Sequence, residues 1–220
     1  MAPALLFSIR MFIVLEGIDG AGKGLQRNEI ISLLQDKVKQ LFSTEFPDHK
    51  SVIYNALIHP GLHQEIELTP SALFLSFLLD QLLHQQKISE CRGSKTHYFI
   101  CDGYYTTNIA YQCYVNKAIS LKNALTAARI FNMPEPDIII FIDVAPKLAI
   151  ERKMLEEGHT EGLDVYERSL KFQTQIRQAF KKMVKNRVFG NWVEVDGNRS
   201  VEDIRDAIME VLTKRKLITY

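Results

Sequence analysis

The sequence predicts an α/β fold, a doubly wound parallel five-stranded sheet with helices on both faces. Three observations carry this reading. Short apolar, β-branched runs at 11–15, 97–101 and 137–143 alternate with longer stretches of helical periodicity, the pattern of strands buried on both faces. The first run passes at once into a glycine-rich turn, Gly17 to Lys23, with G-x-x-x-x-G-K spacing, and then into a helical pattern. Finally, Glu16, Asp102 and Asp143 stand at the C-terminal ends of three runs, where open α/β sheets collect their ligands.

At 220 residues the chain is long enough for a full core and reads as one domain, 1–220. Residues 1–10 read as an N-terminal extension ahead of a second methionine, Met11. Their apolar run, Ala4 to Ile9, is interrupted by Arg10 and falls far short of the about 20 residues that span a bilayer. A hydrophobic content of 46% with 24% charged residues describes a soluble globular chain. A net charge of +1 gives no field suited to nucleic acid. The three cysteines, Cys91, Cys101 and Cys113, lack metal-site spacing and read as reduced thiols of a cytoplasmic protein. No membrane, nucleic-acid or protein-bound metal site is expected.

Taken in order, the strand at 11–15 leads into a helix over 23–36 with an apolar face of Leu25, Ile30, Ile31, Leu33 and Leu34. A second strand follows over Val38 to Phe46, then a turn at Pro47-Asp48. Ser51 to Ile58 predicts a short helix capped by Ser51 and stopped before Pro60. Ser71, after Pro70, opens an apolar helix to about Gln86, and the polar stretch Ser89 to Thr96 predicts a surface loop. His97 to Cys101 is the third strand. Helices near 105–114 and 119–132 precede Pro134, and Asp137 to Asp143 is the fourth strand. Pro146 starts a helix that runs into the charged segment Lys153–Leu163, which has two glycines and no apolar periodicity. That segment fits a lid, taken as 153–167. A helix over 164–186, a strand at Trp192–Val195 and a helix at Val201–Leu212 complete the chain.

The chemistry of the turn explains its spacing. Glycines let successive N–H groups turn inward around an anion, and a helix N-terminus adds partial positive charge. Lys23 reaches the outer phosphates of a nucleoside triphosphate. Gly17, Asp19, Gly20, Ala21, Gly22, Lys23, Gly24 and Leu25 are therefore the candidate nucleotide-binding residues. A Ser or Thr that would hold Mg²⁺ normally follows the lysine; here Gly24 and Leu25 bring no hydroxyl. Mg²⁺ is expected to be held through water and distant carboxylates.

Several segments in the right order resemble the thymidylate kinase family, over nearly all of the chain from Met11 to about Ile208. FIVLEGIDGAGKG is similar to its phosphate-loop opening, and CDGYYTTNIAYQ (101–112) resembles its D-R-Y-x-x-S-x-x-A-Y-Q. EFPDH (45–49) resembles the F-P segment beside the acceptor nucleotide, and PDIIIFIDVAPKLAIERK (136–153) the unit leading into the lid. LDVYE (163–167) resembles the D-R-x-E inside the lid, and NWVEVDGNRSVEDI the closing strand and helix. The resemblance implies a P-loop fold of the nucleoside-monophosphate kinase type. It also implies transfer of the γ-phosphoryl of ATP to dTMP with Mg²⁺, and a homodimer; the apolar helix from Ser71 to Leu83 is a candidate for part of such an interface, with burial inside the monomer as the other reading. It assigns catalytic roles to Lys23, Asp102 and Arg152. Asp19 would meet the deoxyribose 3′-hydroxyl and Phe77 would stack on thymine. Phe46, Pro47, Gln81, Tyr104, Thr107, Tyr111, Gln112 and Tyr166 would line the acceptor pocket.

The chain departs from that pattern at its cations. The family places arginines, which bind phosphate bidentately, where this chain has Glu45, Gln81, Gly103 and Val165. Lys50, Lys153, His159 and Arg168 are the candidates to replace them. Two other readings therefore stand beside the dTMP kinase. One is a nucleotide-binding pseudokinase or regulatory protein; the other is a kinase for a different nucleoside or nucleotide.

Overall fold

A computed structural model of the chain describes residues 11–91, 96–155 and 169–218. The expected five-stranded sheet is present and wholly parallel. Its strands are β1 (Phe12–Glu16), β2 (Gln40–Glu45), β3 (His97–Asp102), β4 (Ile138–Asp143) and β5 (Trp192–Asp196), in the order β2-β3-β1-β4-β5. β1 and β4 are buried at every position, which their unbroken apolar sequences require of central strands. β2 and β5 are edges and keep Gln40, Ser43, Glu194 and Asp196 exposed.

The strand order fixes which helices cover which face. The crossover from β1 to β2 runs one way across the sheet, and those from β2 to β3, β3 to β4 and β4 to β5 run the other. With right-handed crossovers, the two sets fall on opposite faces. α1 (Lys23–Leu34) accordingly packs with α9 (Val201–Lys214), tied by Gln26 Nε2 donating to the Val201 carbonyl at 2.9 Å. The other set holds α3 (Pro70–Leu82), α5 (Tyr105–Asn108), a π-helical stretch Ile109–Val115, α6 (Leu121–Ile130) and α8 (Leu170–Asn186). α8 follows α7 (Pro146–Leu155) and buries Ile176, Ala179, Phe180 and Met183, one apolar stripe at helical spacing. Ser120, Ser169 and Ser200 cap α6, α8 and α9, each accepting the N–H three residues on. Because the chain leaves β1 and β3 toward opposite faces, a crevice opens above their C-terminal ends.

Three expectations about elements are corrected. The helix after Ser51 does not stop before Pro60; it widens into a π-helical stretch, Tyr54–Ile58, and continues as α2 (His59–Leu62). A proline lacks the N–H for an ordinary helical bond, and the wider turn carries the chain past it. Ser51 does cap the segment, accepting from Tyr54 N at 2.9 Å. The apolar helix ends at Leu82 rather than near Gln86, where His84 turns inward to Asp48 and Phe46. α4 (Gln85–Cys91) then occupies the first part of the stretch read as a loop, because Ile88 and Cys91 give it a fully buried face one turn apart. The N-terminal extension, most of the lid segment, and Tyr166, Val165, His159 and Arg168 lie outside the described residues. Among the described residues no helix is long and apolar enough to cross a membrane.

Candidate active site

The loop between β1 and α1 is shaped for an anion. Gly20 and Gly22 take φ of 78° and 82°, values that favour glycine. A Cβ on Gly20 would lie 2.0 Å from the Ala149 carbonyl oxygen, so the loop packs against α7 there, whereas at Gly22 a Cβ would meet nothing within 4 Å. Open space thus lies over the glycine that caps α1, whose first-turn N–H groups have no intrahelical acceptors. Lys23 Nζ reaches back over the loop, donating to the carbonyls of Gly17 at 3.1 Å and Ile18 at 3.2 Å, with Asp19 at 3.9 Å.

The floor of the crevice is acidic. Glu16 is fully buried and accepts from Tyr104 N at 3.2 Å, from the Thr107 hydroxyl at 2.7 Å and from the Thr106 hydroxyl. Burial dominates those bonds and pushes its carboxyl up to about 7 from 4.5. Folded chains therefore hold a proton between about pH 4.5 and 7 that unfolded chains have released, so this group's stabilisation falls as pH rises through that window. Relative to Glu16→Gln, the wild type is expected to lose up to about 3 kcal/mol of stability across it. Denaturant unfolding of both proteins at pH 5 and pH 8 measures this, and parallel changes in the two would contradict it.

Asp102 ends β3 in register with Leu15 on one side and Glu45 on the other. Burial raises its pKa against the pull of Lys23 and Arg27, and Glu45 and Asp19 raise it further. Its Oδ2 lies so near Gly24 that a Cβ there would approach it to 3.3 Å. A carboxylate thus stands beside the position where a Ser or Thr hydroxyl would sit. Among the described residues no group of three or more His, Cys, Asp or Glu could by itself hold a metal. Asp102, beside Gly24, is the carboxylate that would face the water shell of a phosphate-borne Mg²⁺.

Asp19 accepts from Tyr111 Oη at 2.7 Å and from Gln173 Nε2 at 3.4 Å, and Phe172 packs against Tyr111 with ring centroids 5.7 Å apart. The Phe46–Ser51 turn is pinned to α3 by buried Asp80, which accepts from Asp48 N at 2.9 Å and from the Ser51 hydroxyl. Phe46 packs on His84 and Tyr104.

A model of the thymidylate kinase family matches residues 15–208. The chain belongs to the thymidylate kinase family. It is 28% identical to the probable thymidylate kinase of Pyrococcus horikoshii, covering 94% of this chain and 97% of that one. It is 28% identical to the thymidylate kinase of Mycoplasmopsis agalactiae, covering 94% and 96%, and 24% identical to that of Plasmodium falciparum, covering 94% and 91%.

In this family member the fold gathers Lys23, Asp19, Asp102 and Tyr111 around the crevice, with Phe77 half-buried on α3. Ala21 is buried in the loop, whereas Leu25 is 48% exposed on the far side of α1's first turn. Tyr104 and Gln112 are buried, and Thr107 donates to Glu16 at 2.7 Å. Arg152 donates to the carbonyls of Gly197 at 2.9 Å and Arg199 at 3.2 Å, which fixes the loop after β5. Asp143 is clamped by Arg177, at 2.5 and 2.8 Å, and by Lys181 at 2.9 Å. Burial pushes its carboxyl up, but these cations outweigh burial and hold it below its ordinary value.

One residue that the motifs do not flag is Arg27. It lies four residues beyond Lys23, on the same face of α1, with Nη1 3.8 Å from Glu45 Oε2. Its Nε and Nη1 are buried without a hydrogen-bond partner. The i, i+4 spacing from Lys23 was the available signal. It also reads as an ordinary solvated helix face until β2 is known to end beside it.

Proposed function

We propose that the chain transfers the γ-phosphoryl group of ATP to the 5′-phosphate of dTMP, giving ADP and dTDP. The observation that carries this reading is the family match across residues 15–208, which takes in both the phosphate loop and the acceptor side of the crevice. In such a transfer an acceptor phosphate oxygen bonds to the γ-phosphorus as its bond to the β-phosphate oxygen breaks. Little covalent work falls to the protein, which positions the reactants and neutralises charge. Lys23 and the N–H groups from Gly20 to Gly24 hold the triphosphate. Asp102 would hold the water shell of Mg²⁺, which when bound would supply neutralising charge to the phosphates. Asp19 and Tyr111, already bonded to each other, present a carboxylate and a phenol to the acceptor sugar. Arg27 supplies the guanidinium missing from positions 45, 81 and 103, and Arg152 acts indirectly by fixing the Gly197–Arg199 loop.

An ADP-release assay across dTMP, dUMP, dCMP, UMP and AMP, and the corresponding nucleosides, tests the reading. Activity with no acceptor would leave a nucleotide-binding protein, and thymidine exceeding dTMP would make the chain a nucleoside kinase. The three buried free cysteines among the described residues and the nucleotide substrates favour a cytoplasmic setting.

The working form is a homodimer. Leu75, Leu79 and Leu83 are 58%, 43% and 55% exposed at i, i+4 and i+8 along α3, an apolar stripe suited to an antiparallel helix from a second copy. Sedimentation equilibrium is expected to give a dimer for the wild type and a monomer for Leu79→Glu. A monomeric wild type at micromolar concentration would remove this part of the reading.

A further inference from the structure

A groove along α6 belongs neither to the crevice nor to the exposed stripe of α3. It runs toward the loop that enters β5 and holds about 960 Å³. Leu121, Leu125, Ala128, Met133 and Phe189 give it an apolar floor, and Lys122, Arg129 and Glu135 are its exposed charged residues. From Leu121 to Arg129 is about 12 Å of helix, or about two turns. Phe189 is held at φ 57°, a strained setting for a bulky residue, with its ring packed on Tyr105 at 5.2 Å between centroids. The charge around the groove is one-sided. The segments that build most of it, 103–134 and 168–193, contain no Asp or Glu. α8 packs on the π-helical stretch Ile109–Val115, which brings the two segments together. The first exposes Lys117, Lys122 and Arg129, and the second exposes Lys182, Lys185 and Arg187. In a chain of 27 Lys and Arg against 26 Asp and Glu, this is segregation of charge rather than excess.

We propose that this groove docks a protein partner through an amphipathic helix whose apolar anchors lie one turn apart and are flanked by Asp or Glu. An apolar groove about two turns long takes side chains at i, i+3 or i+4, and i+7, and the cations at its margins match acidic flanks. Charge and shape disfavour the other occupants. A second copy related by a two-fold axis would set these cations against one another. A single nucleic-acid strand needs exposed rings for its bases, and the aromatic ring on the groove lining, Phe189, is buried. A bilayer surface would leave the recessed floor unfilled. The site is independent of the kinase reading, because none of its lining residues lies in the crevice.

The test selects a displayed library of randomised helical segments on the full-length protein, with counter-selection on the double variant Lys122→Glu/Arg129→Glu. Enriched segments are expected to carry apolar residues at i, i+3 or i+4, and i+7 between acidic flanks. As synthetic peptides they are expected to bind the wild type in fluorescence anisotropy and to bind the double variant at least about tenfold more weakly. Exchanging the peptide's acids for lysine is expected to cost a similar factor on the wild type and to gain affinity on the double variant. No enrichment, enrichment of cationic flanks, or peptide binding unchanged in the double variant overturns the inference. So does displacement of the peptide by phosphatidylglycerol vesicles or by a single-stranded oligonucleotide at lower concentration than the peptide itself. A wild-type dimer that the double variant dissociates would assign the groove to a second copy and overturn it too. If thermal unfolding shows that the double variant does not fold, the affinity ratio of the acidic peptide to its lysine counterpart on the wild type decides alone, and a ratio near one overturns the inference.

Discussion

Lys23→Ala is expected to lower phosphoryl transfer by at least about 10³-fold, the largest effect of any single substitution in the crevice. The reason is the local charge balance. Glu16, Asp19, Glu45 and Asp102 lie within electrostatic reach of one another at this end of the sheet, where the proposed triphosphate would sit, and Lys23 and Arg27 oppose them from one face of α1. Lys23 Nζ rests on two loop carbonyls and near Asp19, so it is held over the loop before any nucleotide arrives. Removing it would take away the proposed phosphate ligand and also the strongest of the charges that oppose protonation of Asp102. The Ile18 carbonyl keeps its bond from Ala21 N, at 3.1 Å, when Lys23 is removed. The check is an ADP-release assay with saturating ATP and dTMP, alongside thermal unfolding. A folded Lys23→Ala within tenfold of wild type would place the triphosphate elsewhere.

The sheet was legible because each central strand is an unbroken apolar run, and only strands buried on both faces tolerate that composition. The phosphate loop was legible for a different reason: its function is carried by backbone, so the glycine spacing itself is the signal. Local geometry hid the rest. Pro60 looked like a stop because an α-helix cannot pass it comfortably, and the π-helical widening at Tyr54–Ile58 is a solution that residue patterns do not announce. Thr107 carried a motif match but serves Glu16, a partner 91 residues away. Asp143 looked like a ligand-facing carboxylate until α8 brought Arg177 and Lys181 to it. Glu45 could be read only as a missing arginine, and Gln81 both as a missing arginine and as a pocket-lining residue. Which side chain occupies the space they vacate depends on how α1 and α3 lie against the ends of β2 and β3.

That dependence makes Arg27 the second decisive test. Arg27→Gln is expected to lower kcat by about 10² to 10³-fold while KM for ATP changes by less than about fivefold. Two of its guanidinium nitrogens are buried without hydrogen-bond partners, and its distance to Glu45, 3.8 Å, is too long for a hydrogen bond. An ion pair kept only for stability would close that gap, because buried donors are costly to leave unpaired. On the kinase reading these donors find their acceptors in phosphate oxygens, whose equatorial set the planar fork suits. Such bonds strengthen as charge spreads in the transition state, which is why kcat should move more than KM. A merely structural Arg27 predicts another pattern: lower unfolding temperature, little change in kcat of the folded fraction, and equal tolerance of lysine and glutamine. Guanidinium added to Arg27→Ala separates the two. Recovery of turnover that saturates with guanidinium concentration supports the phosphate role. Stability lost without any such recovery would assign Arg27 to the neutralisation of Glu45 and Asp102, and the enzyme would then work with Lys23 as its principal cation in the described crevice.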